Sequence, residues 1–274
     1  MRRTLVWCLV LLLAGCAGPG RRGADQDGPP AEVPVDLDRV PDARPTWERP
    51  RPANSRPYTV AGRTYYPLRR VRHYRERGIA SWYGRKFHGR RTASGEPYDM
   101  YKMTAAHRTL PLPSFLRVTN LLNGRSVVVR VNDRGPFHPN RLIDLSYAAA
   151  HRLGVLATGT APVELELVTP DSPRLAAARE AGQGAGPGAG PPRQPAPPRL
   201  FLQVGAFALA DNAYALKARL QAVGLGPVVI QRVERGPTPL YRVRIGPLAS
   251  VDQGDVLAMR VDAEGIGNAH LVVE

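Results

Sequence analysis

Three short stretches of the chain combine carboxylates or histidines with turn-forming residues. They span residues 80–89, 92–99 and 131–137. Asp133 follows the apolar run 127–131 and so stands at a predicted strand end, where burial can raise the pKa of a carboxyl. Arg134 would oppose this if its side chain turned inward. A carboxyl that is protonated near neutral pH can act as a general acid and then as a base, so the third stretch predicts acid–base chemistry.

A structural interpretation of the same residues stays open. Asp133 lies in an Asn-Asp-Arg-Gly-Pro segment, and these residue types also form and cap turns. Glu96 and Asp99 flank a proline and could belong to an exposed turn, while His107 could be a hydrogen-bonded histidine of the core or surface. Asp144 could also have a carboxylate role, but we favour the capping of the helix after Leu145.

Neither a metal nor a cofactor is predicted. His88, His107 and His138, together with Asp99, could suggest metal ligands, but the chain has no HExxH motif and no closely spaced histidine pair. Its only cysteines are Cys8 and Cys16, which excludes a disulfide scaffold and a cysteine-rich zinc site.

The middle of the chain is predicted to be mainly strand. β-rich runs at 79–83, 115–119, 126–131 and 163–168 are typical of a small barrel, and Asn123-Gly124 predicts a hairpin turn. One short helix is expected at 147–153, with Ser146 as N-cap and Leu145, Ala149 and Leu153 facing inward.

The C-terminal region alternates between strands and helices. Strands are predicted at 200–206, 228–233, 240–245 and 271–273, with Gly236-Pro237 between the middle two. Helices are predicted at 212–223, capped by Asp211, and at 256–263. This βαββαβ order is the ferredoxin-like arrangement.

Composition predicts linkers and an anionic partner. The 274 residues include 28 Pro and 27 Gly, more than one compact domain would use. Residues 16–57 predict a disordered tether, and the Pro/Gly-rich 171–199 a second disordered linker.

The formal charge of +15 suits an anionic partner. The basic residues include only three lysines (Lys86, Lys102 and Lys217) and form no dense run, which argues against nucleic-acid binding.

The first sixteen residues predict export and lipidation. Arg2 and Arg3 precede an apolar run, 5–13, that is too short to span a bilayer and is typical of a secretory signal. The following Leu-Ala-Gly-Cys resembles the bacterial lipobox, which implies removal of residues 1–15 by signal peptidase II and lipidation of Cys16, anchoring the chain to a membrane. Ala17, where inner-membrane lipoproteins often have Asp, favours the periplasmic face of the outer membrane.

The middle region, 58–170, resembles the rare lipoprotein A family of septal lytic transglycosylases. The resemblance runs from Gly78 to about Leu156 and includes Ala-Ser-Trp-Tyr-Gly, Thr-Ala-Ser-Gly-Glu-Pro-Tyr-Asp, Thr-Ala-Ala-His, Val-Asn-Asp-Arg-Gly-Pro-Phe and Arg-Leu-Ile-Asp-Leu-Ser. It implies a six-stranded double-psi β-barrel that cleaves peptidoglycan endolytically between N-acetylmuramic acid and N-acetylglucosamine, leaving 1,6-anhydro ends. These enzymes need no cofactor.

The resemblance also assigns functional residues. The family's catalytic positions fall on Glu96, Asp99, His107 and Asp133, and we predict Asp133 as the general acid and base. Glu96 and Asp99 would stay ionised and stabilise the oxocarbenium-like centre, and His107 would orient a carboxyl or bind substrate. Substrate contacts are expected from Trp82, Tyr83, Phe87, Tyr98 and Arg134, although the four aromatic rings could equally be core.

Residues 200–274 resemble a SPOR domain, which binds glycan strands that lack stem peptides. The motifs are Gln-Val-Gly-Ala-Phe and Tyr-Arg-Val-Arg-Ile-Gly-Pro-Leu, so the expected glycan contacts are Gln203, Gly205, Phe207, Tyr241 and Arg242. The resemblance implies action at the division septum in cell separation, with divisome proteins as candidate partners.

Two alternatives to the transglycosylase activity stay open: an expansin-like binding protein that does not cleave glycan, and a hydrolytic glycosidase that uses Asp133 and Asp99.

Overall fold

The computed structural model describes residues 27–172, 197–235 and 238–274. The predicted signal peptide, Cys16, most of the second linker and the Gly236-Pro237 turn lie outside the described residues. Within those ranges, no helix has the length and apolar character needed to cross a membrane.

A closed six-stranded barrel forms the first domain, as predicted. The first eight strands are β1 (Tyr58–Val60), β2 (Arg63–Tyr65), β3 (Arg75–Trp82), β4 (Thr104–His107), β5 (Ser114–Asn120), β6 (Ser126–Asp133), β7 (Ile143–Leu145) and β8 (Ala161–Leu167). β1 and β2 form a separate hairpin, and the other six close in the order β3-β7-β4-β6-β5-β8. The interior is filled by alternating apolar side chains such as Leu116, Val129 and Leu165, which have no exposed surface.

The short helix and the hairpin turn confirm the sequence predictions. Helix α1 spans Tyr147–Leu153, and the Ser146 hydroxyl accepts a hydrogen bond from the Ala149 amide. Gly124 has a φ of 72° between β5 and β6, a left-handed conformation that glycine adopts without steric cost. β4 and β7 were not predicted, because strands of three or four residues carry too little alternation to be recognised.

The N-terminal segment differs from the predicted tether, since residues 27–57 are packed against the barrel. Short 3-10 helices span Leu37–Arg39 and Pro52–Ser55, and the Leu37 side chain is buried. β4 is short, so it leaves part of the β6 backbone unpaired; there Asp42 accepts the Val128 amide and the Ala43 amide donates to the Val128 carbonyl. Composition predicts disorder, but an open strand edge and an apolar patch stabilise the segment.

The second domain has the predicted βαββαβ order. Its elements are β9 (Leu200–Phe207), α2 (Ala210–Ala222), β10 (Val228–Arg235), β11 (Thr238–Leu248), α3 (Val251–Ala263) and β12 (His270–Val273). The antiparallel sheet has the order β10-β11-β9-β12. The predicted cap of α2 was wrong: Leu209 is at the N-cap without a side-chain hydrogen bond, and Asp211 lies in the first turn. α3 begins five residues earlier than predicted, because Ser250 caps it.

The two domains contact each other next to β7. Asp255 of α3 accepts hydrogen bonds from the Asn140 amide group, at 2.8 Å, and from the Arg141 guanidinium, at 2.7 Å. The Asn140 side-chain oxygen accepts the backbone amide of Leu271 in β12. A polar loop before β7 is thereby fixed between the barrel and the second domain.

Candidate active site

Two carboxyls lie on one row of the outer barrel surface. Ala106 of β4 pairs with Asp133 of β6 on one side and with Asp144 of β7 on the other, and Asp144 pairs with Ser81 of β3. Residues paired across neighbouring strands point to the same face. We call Ser81, Asp144, Ala106 and Asp133 the carboxyl row.

A β-bulge in β6 places Asp133 in this row. Ala105 pairs with Val131, but the next residue of β4, Ala106, pairs with Asp133, so Asn132 is the extra residue. Val131 faces the interior and is fully buried. In regular alternation Asp133 would face inward as well, and the bulge turns it to the outer surface.

The Asp133 carboxyl is half-buried and hydrogen-bonded. Its Oδ1 accepts the backbone amides of Ala93 and Arg134, both at 2.8 Å. Burial raises the pKa of Asp133, while these two amides and the Arg134 charge oppose the rise. The side chain is therefore closer to protonation at neutral pH than an exposed aspartate.

Asp144 was assigned mainly a capping role from sequence, and the structure gives it a different environment. Ser146 caps α1, whereas the Asp144 Oδ1 accepts a hydrogen bond of 2.5 Å from the Ser81 hydroxyl. Burial raises the pKa of Asp144 to about 6, against the opposing effects of Ser81 and two nearby arginines. No sequence signal predicted this, because the burial comes from strand neighbours that are distant in sequence.

Glu96 lies next to β6, where its carboxylate accepts a hydrogen bond from Asn132 and forms an ion pair with Arg130. The Arg130 Nη1 donates to both Glu96 oxygens, at 2.7 and 2.8 Å, and Ser94 donates to Oε1 at 2.9 Å. Burial alone would raise the pKa of Glu96, but the hydrogen bonds of Arg130, Ser94 and Asn132 lower it on balance. Glu96 is therefore ionised at neutral pH.

Arg130 also connects Glu96 to the N-terminal segment. Its Nε and Nη2 donate to the two carboxylate oxygens of Glu48, at 2.9 and 2.7 Å. Two carboxylates thus share one guanidinium, which holds the Glu96 side chain in a fixed position. Glu48 was not a predicted site residue, because residues 16–57 were expected to be disordered.

His107 is a buried, neutral histidine. Its Nδ1 accepts the backbone amides of Thr109 and Leu110, and its Nε2 lies 3.0 Å from the Tyr74 hydroxyl. Burial, with repulsion from two arginines, lowers the pKa of His107 to about 3. The ring therefore fixes the loop after β4. The Tyr74 hydroxyl also donates to Glu76, which is the only carboxylate linked to His107 by hydrogen bonds among the described residues.

The side chains of Asp99 and Arg134 make their hydrogen bonds outside the carboxyl row. Asp99 accepts the Tyr101 amide and pairs with Lys102 at 3.7 Å, which are contacts within its own turn. The Arg134 guanidinium donates to the carbonyls of His107, Leu110 and Asn54, so it fixes loops around the row.

The four aromatic candidates divide between core and surface. Tyr83 and Tyr98 are buried and stacked, with ring centroids 4.0 Å apart, and the Tyr98 hydroxyl donates to the Tyr83 carbonyl. Trp82 is half-buried and packs edge-on against Tyr147. Phe87 is 39% exposed and is the candidate most available to a sugar ring.

The candidates of the second domain lie on both faces of its sheet. Phe207 and Tyr241 pack against the core under the helices, and a side chain at Gly205 would meet Phe207 and Leu216. Arg242 alternates with the buried Val243 and so faces the opposite side, where Gln203 accepts a hydrogen bond from Arg244.

Comparisons with known proteins agree with this architecture. The "Lytic transglycolase" family model matches residues 75–165, and the "SPOR domain" model matches residues 196–272. The chain is 43% identical over 303 residues to the "Endolytic peptidoglycan transglycosylase RlpA" of Pseudomonas aeruginosa, covering 94% of this chain and 88% of that protein. The chain belongs to the RlpA family.

Two further matches to RlpA proteins cover less of the chain. The protein of the same name from Vibrio cholerae is 49% identical over 174 residues, covering 63% of this chain and 66% of that protein. The solved RlpA SPOR domain from Pseudomonas aeruginosa has 42% sequence identity and a TM-score of 0.26, covering 27% of this chain and 96% of that one. The lytic transglycolase match contains every member of the carboxyl row.

Proposed function

We propose that this chain is an endolytic peptidoglycan transglycosylase that cleaves glycan strands at the carboxyl row. The observation that carries the proposal is a pair of carboxyls with raised pKa values, on one outer face of a barrel in the RlpA family. Relatives that match most of the chain bear that activity in their names. Burial of two ionisable carboxyls destabilises the folded protein, because burial disfavours their charged forms. Such pairs are therefore found mainly at functional sites.

The reaction requires proton transfer but no water. The C6 hydroxyl of N-acetylmuramic acid attacks C1 of the same sugar, so the nucleophile is already tethered at high effective concentration. A carboxyl must protonate the leaving oxygen, and a carboxylate must take the C6 proton. We assign Asp133 to this proton transfer, since the bulge at Asn132 presents it to the outer surface.

Glu96 supplies fixed negative charge beside the reaction centre. Arg130 keeps it ionised, and an anionic carboxylate stabilises the oxocarbenium-like charge that develops at C1. Asp99 and His107 then act through the loops that they shape, without direct contact with the sugar.

The second domain would hold the enzyme on glycan strands that lack stem peptides. The sheet face opposite the helices carries Gln203 and Arg242 and is the side on which we place the glycan. Tethering to the substrate raises the effective concentration of the barrel without new catalytic contacts. A lipid on Cys16 would keep the protein at the periplasmic face of the outer membrane, and peptide-free glycan would direct it to the septum and its divisome proteins.

Product analysis of the soluble chain, lacking residues 1–16, tests the activity. Peptide-free sacculi, prepared with an amidase, should release fragments with anhydro-muramic ends, and intact sacculi should release far less. Reducing ends would instead identify a hydrolase. Retained binding with no soluble product would identify an expansin-like protein.

Two variants test the assignment of Asp133. Asp133→Asn should lower the rate by at least about 100-fold, the usual contribution of a general acid or base. Asp38→Asn is the matched control, because the Asp38 side chain is 81% exposed and pairs with His151 of α1 rather than with a member of the row. Full activity of Asp133→Asn would refute the assignment.

A further inference from the structure

We propose that Asp144 is a second catalytic carboxyl, which donates the proton to the leaving oxygen while Asp133 accepts the proton of the C6 hydroxyl. This inference rests on the proposed function and divides its proton transfers between two residues. It concerns a side chain for which sequence favoured a structural role.

The spacing of the two carboxyls suits transfers at two points of one sugar. Asp133 and Asp144 flank Ala106 on neighbouring strands, so their backbones are two strand spacings, about 10 Å, apart. Carboxyls that act on one glycosidic centre are separated by about 5–9.5 Å. Aspartate side chains on the same face as the small Ala106 methyl can close this backbone separation to that range.

Gly135 leaves room for substrate next to Asp144. A Cβ atom added at Gly135 would lie 3.6 Å from the Asp144 Oδ2 and 3.7 Å from the Ala106 Cβ. Gly135 has a φ of 140°, which other residues rarely adopt, so this position favours the absence of a side chain. The place of this missing Cβ lies beside Oδ2, where a leaving-group oxygen would approach, whereas Oδ1 already accepts a hydrogen bond from Ser81.

The surroundings of Asp144 allow it to hold a proton near neutral pH. Burial raises its pKa to about 6; Ser81, Arg141 and Arg108 oppose the rise, and Asp27 of the N-terminal segment adds to it. With Oδ1 accepting from Ser81, the proton of the neutral acid resides on Oδ2, the oxygen beside Gly135. Glu96 cannot take this role, because Arg130 keeps it ionised.

The assignment gives a balanced reaction. Asp144 transfers its Oδ2 proton to the bridging oxygen as the bond from C1 to that oxygen breaks. The C6 oxygen forms its bond to C1, and its proton passes to Asp133. One carboxyl ends ionised and the other protonated, and exchange with solvent restores both without consumption of water in the cleavage.

The pH dependence of Ser81→Ala tests this role. Ser81 stabilises the ionised form of Asp144, so its removal should raise the Asp144 pKa further. The alkaline limb of the pH profile of kcat/KM, where the acid is lost, should then move up by roughly half to one pH unit. A purely structural Ser81–Asp144 pair would lower activity equally at all pH values and leave the limb in place.

Asp144→Asn supplies the second variant, again with Asp38→Asn as control. We expect a loss of at least about 100-fold in kcat on peptide-free sacculi, with the melting temperature monitored alongside. An unshifted limb in Ser81→Ala, or wild-type kcat in Asp144→Asn, would overturn the inference. If the wild-type chain itself forms no anhydro ends, the proposed function fails instead, so the two failures are distinguishable.

Discussion

Truncation of Leu37 tests whether the N-terminal segment is part of the folded barrel domain. The Leu37 side chain is 7% exposed and packs in a cluster with Tyr83, Tyr98, Met100 and Tyr147. Leu→Ala substitutions at such sites cost about 2–5 kcal/mol, and we take about 2–3 kcal/mol because a surface segment can relax around the cavity. For a domain of this size, that loss lowers the melting temperature by roughly 5–10 °C.

Calorimetry of the soluble chain measures this effect directly. Val33→Ala is the matched control, since Val33 lies in the same segment but is 45% exposed and should change the melting temperature little. The transition that moves in Leu37→Ala is thereby identified as that of the barrel. If residues 27–57 formed a free tether, both variants would melt like the wild type, and the packing described here would be refuted.

Three further predictions concern ionisable groups. The pKa of Glu96 is lower in the folded protein, so its ionised form stabilises the fold above the unfolded pKa, and this stability is lost as pH falls through the folded pKa. The free energy of unfolding of Glu96→Gln, measured in urea, should therefore depend less on pH between about 5 and 3 than that of the wild type. An equal pH dependence of the two proteins would contradict this. The His107 ring, with a pKa of about 3, should show constant carbon shifts in NMR spectra between about pH 5 and 8, and a titration near pH 6.5 would contradict its burial. Asp255→Ala should release Arg141 and separate the domains, seen as a larger radius of gyration in X-ray scattering; an unchanged curve would show that other contacts suffice.

The sequence predicted the architecture well where patterns are local. Alternating apolar residues gave β5, β6 and β8, and Ser146 with the following residues gave the helix α1 and its cap. The βαββαβ order of the second domain was equally visible. The cap at Asp211 was wrong: the helix begins at Ala210 after Leu209, which makes no capping hydrogen bond, so the start of α2 carries no capping signal in the sequence.

The active-site geometry was only partly predictable, because it depends on pairing between distant strands. Asp133 was predicted at a strand end, but the bulge at Asn132 that turns it outward becomes visible only from the register with β4. Asp144 gains its environment from Ser81, sixty-three positions away. Glu48 was not predicted as a site residue, because the Pro-rich composition of its segment indicated disorder. In the structure this segment packs on the barrel, and Glu48 pairs with Arg130.

Cleavage in water enriched in heavy oxygen tests the central claim most directly. The soluble chain would act on peptide-free sacculi in this solvent, and mass spectrometry would read the new muramic ends. Because the C6 hydroxyl is the nucleophile, we predict anhydro ends that lack one water relative to a hydrolysed end and carry no heavy oxygen. Reducing ends that contain the solvent oxygen would show that water attacks C1, and would contradict transglycosylation at the carboxyl row.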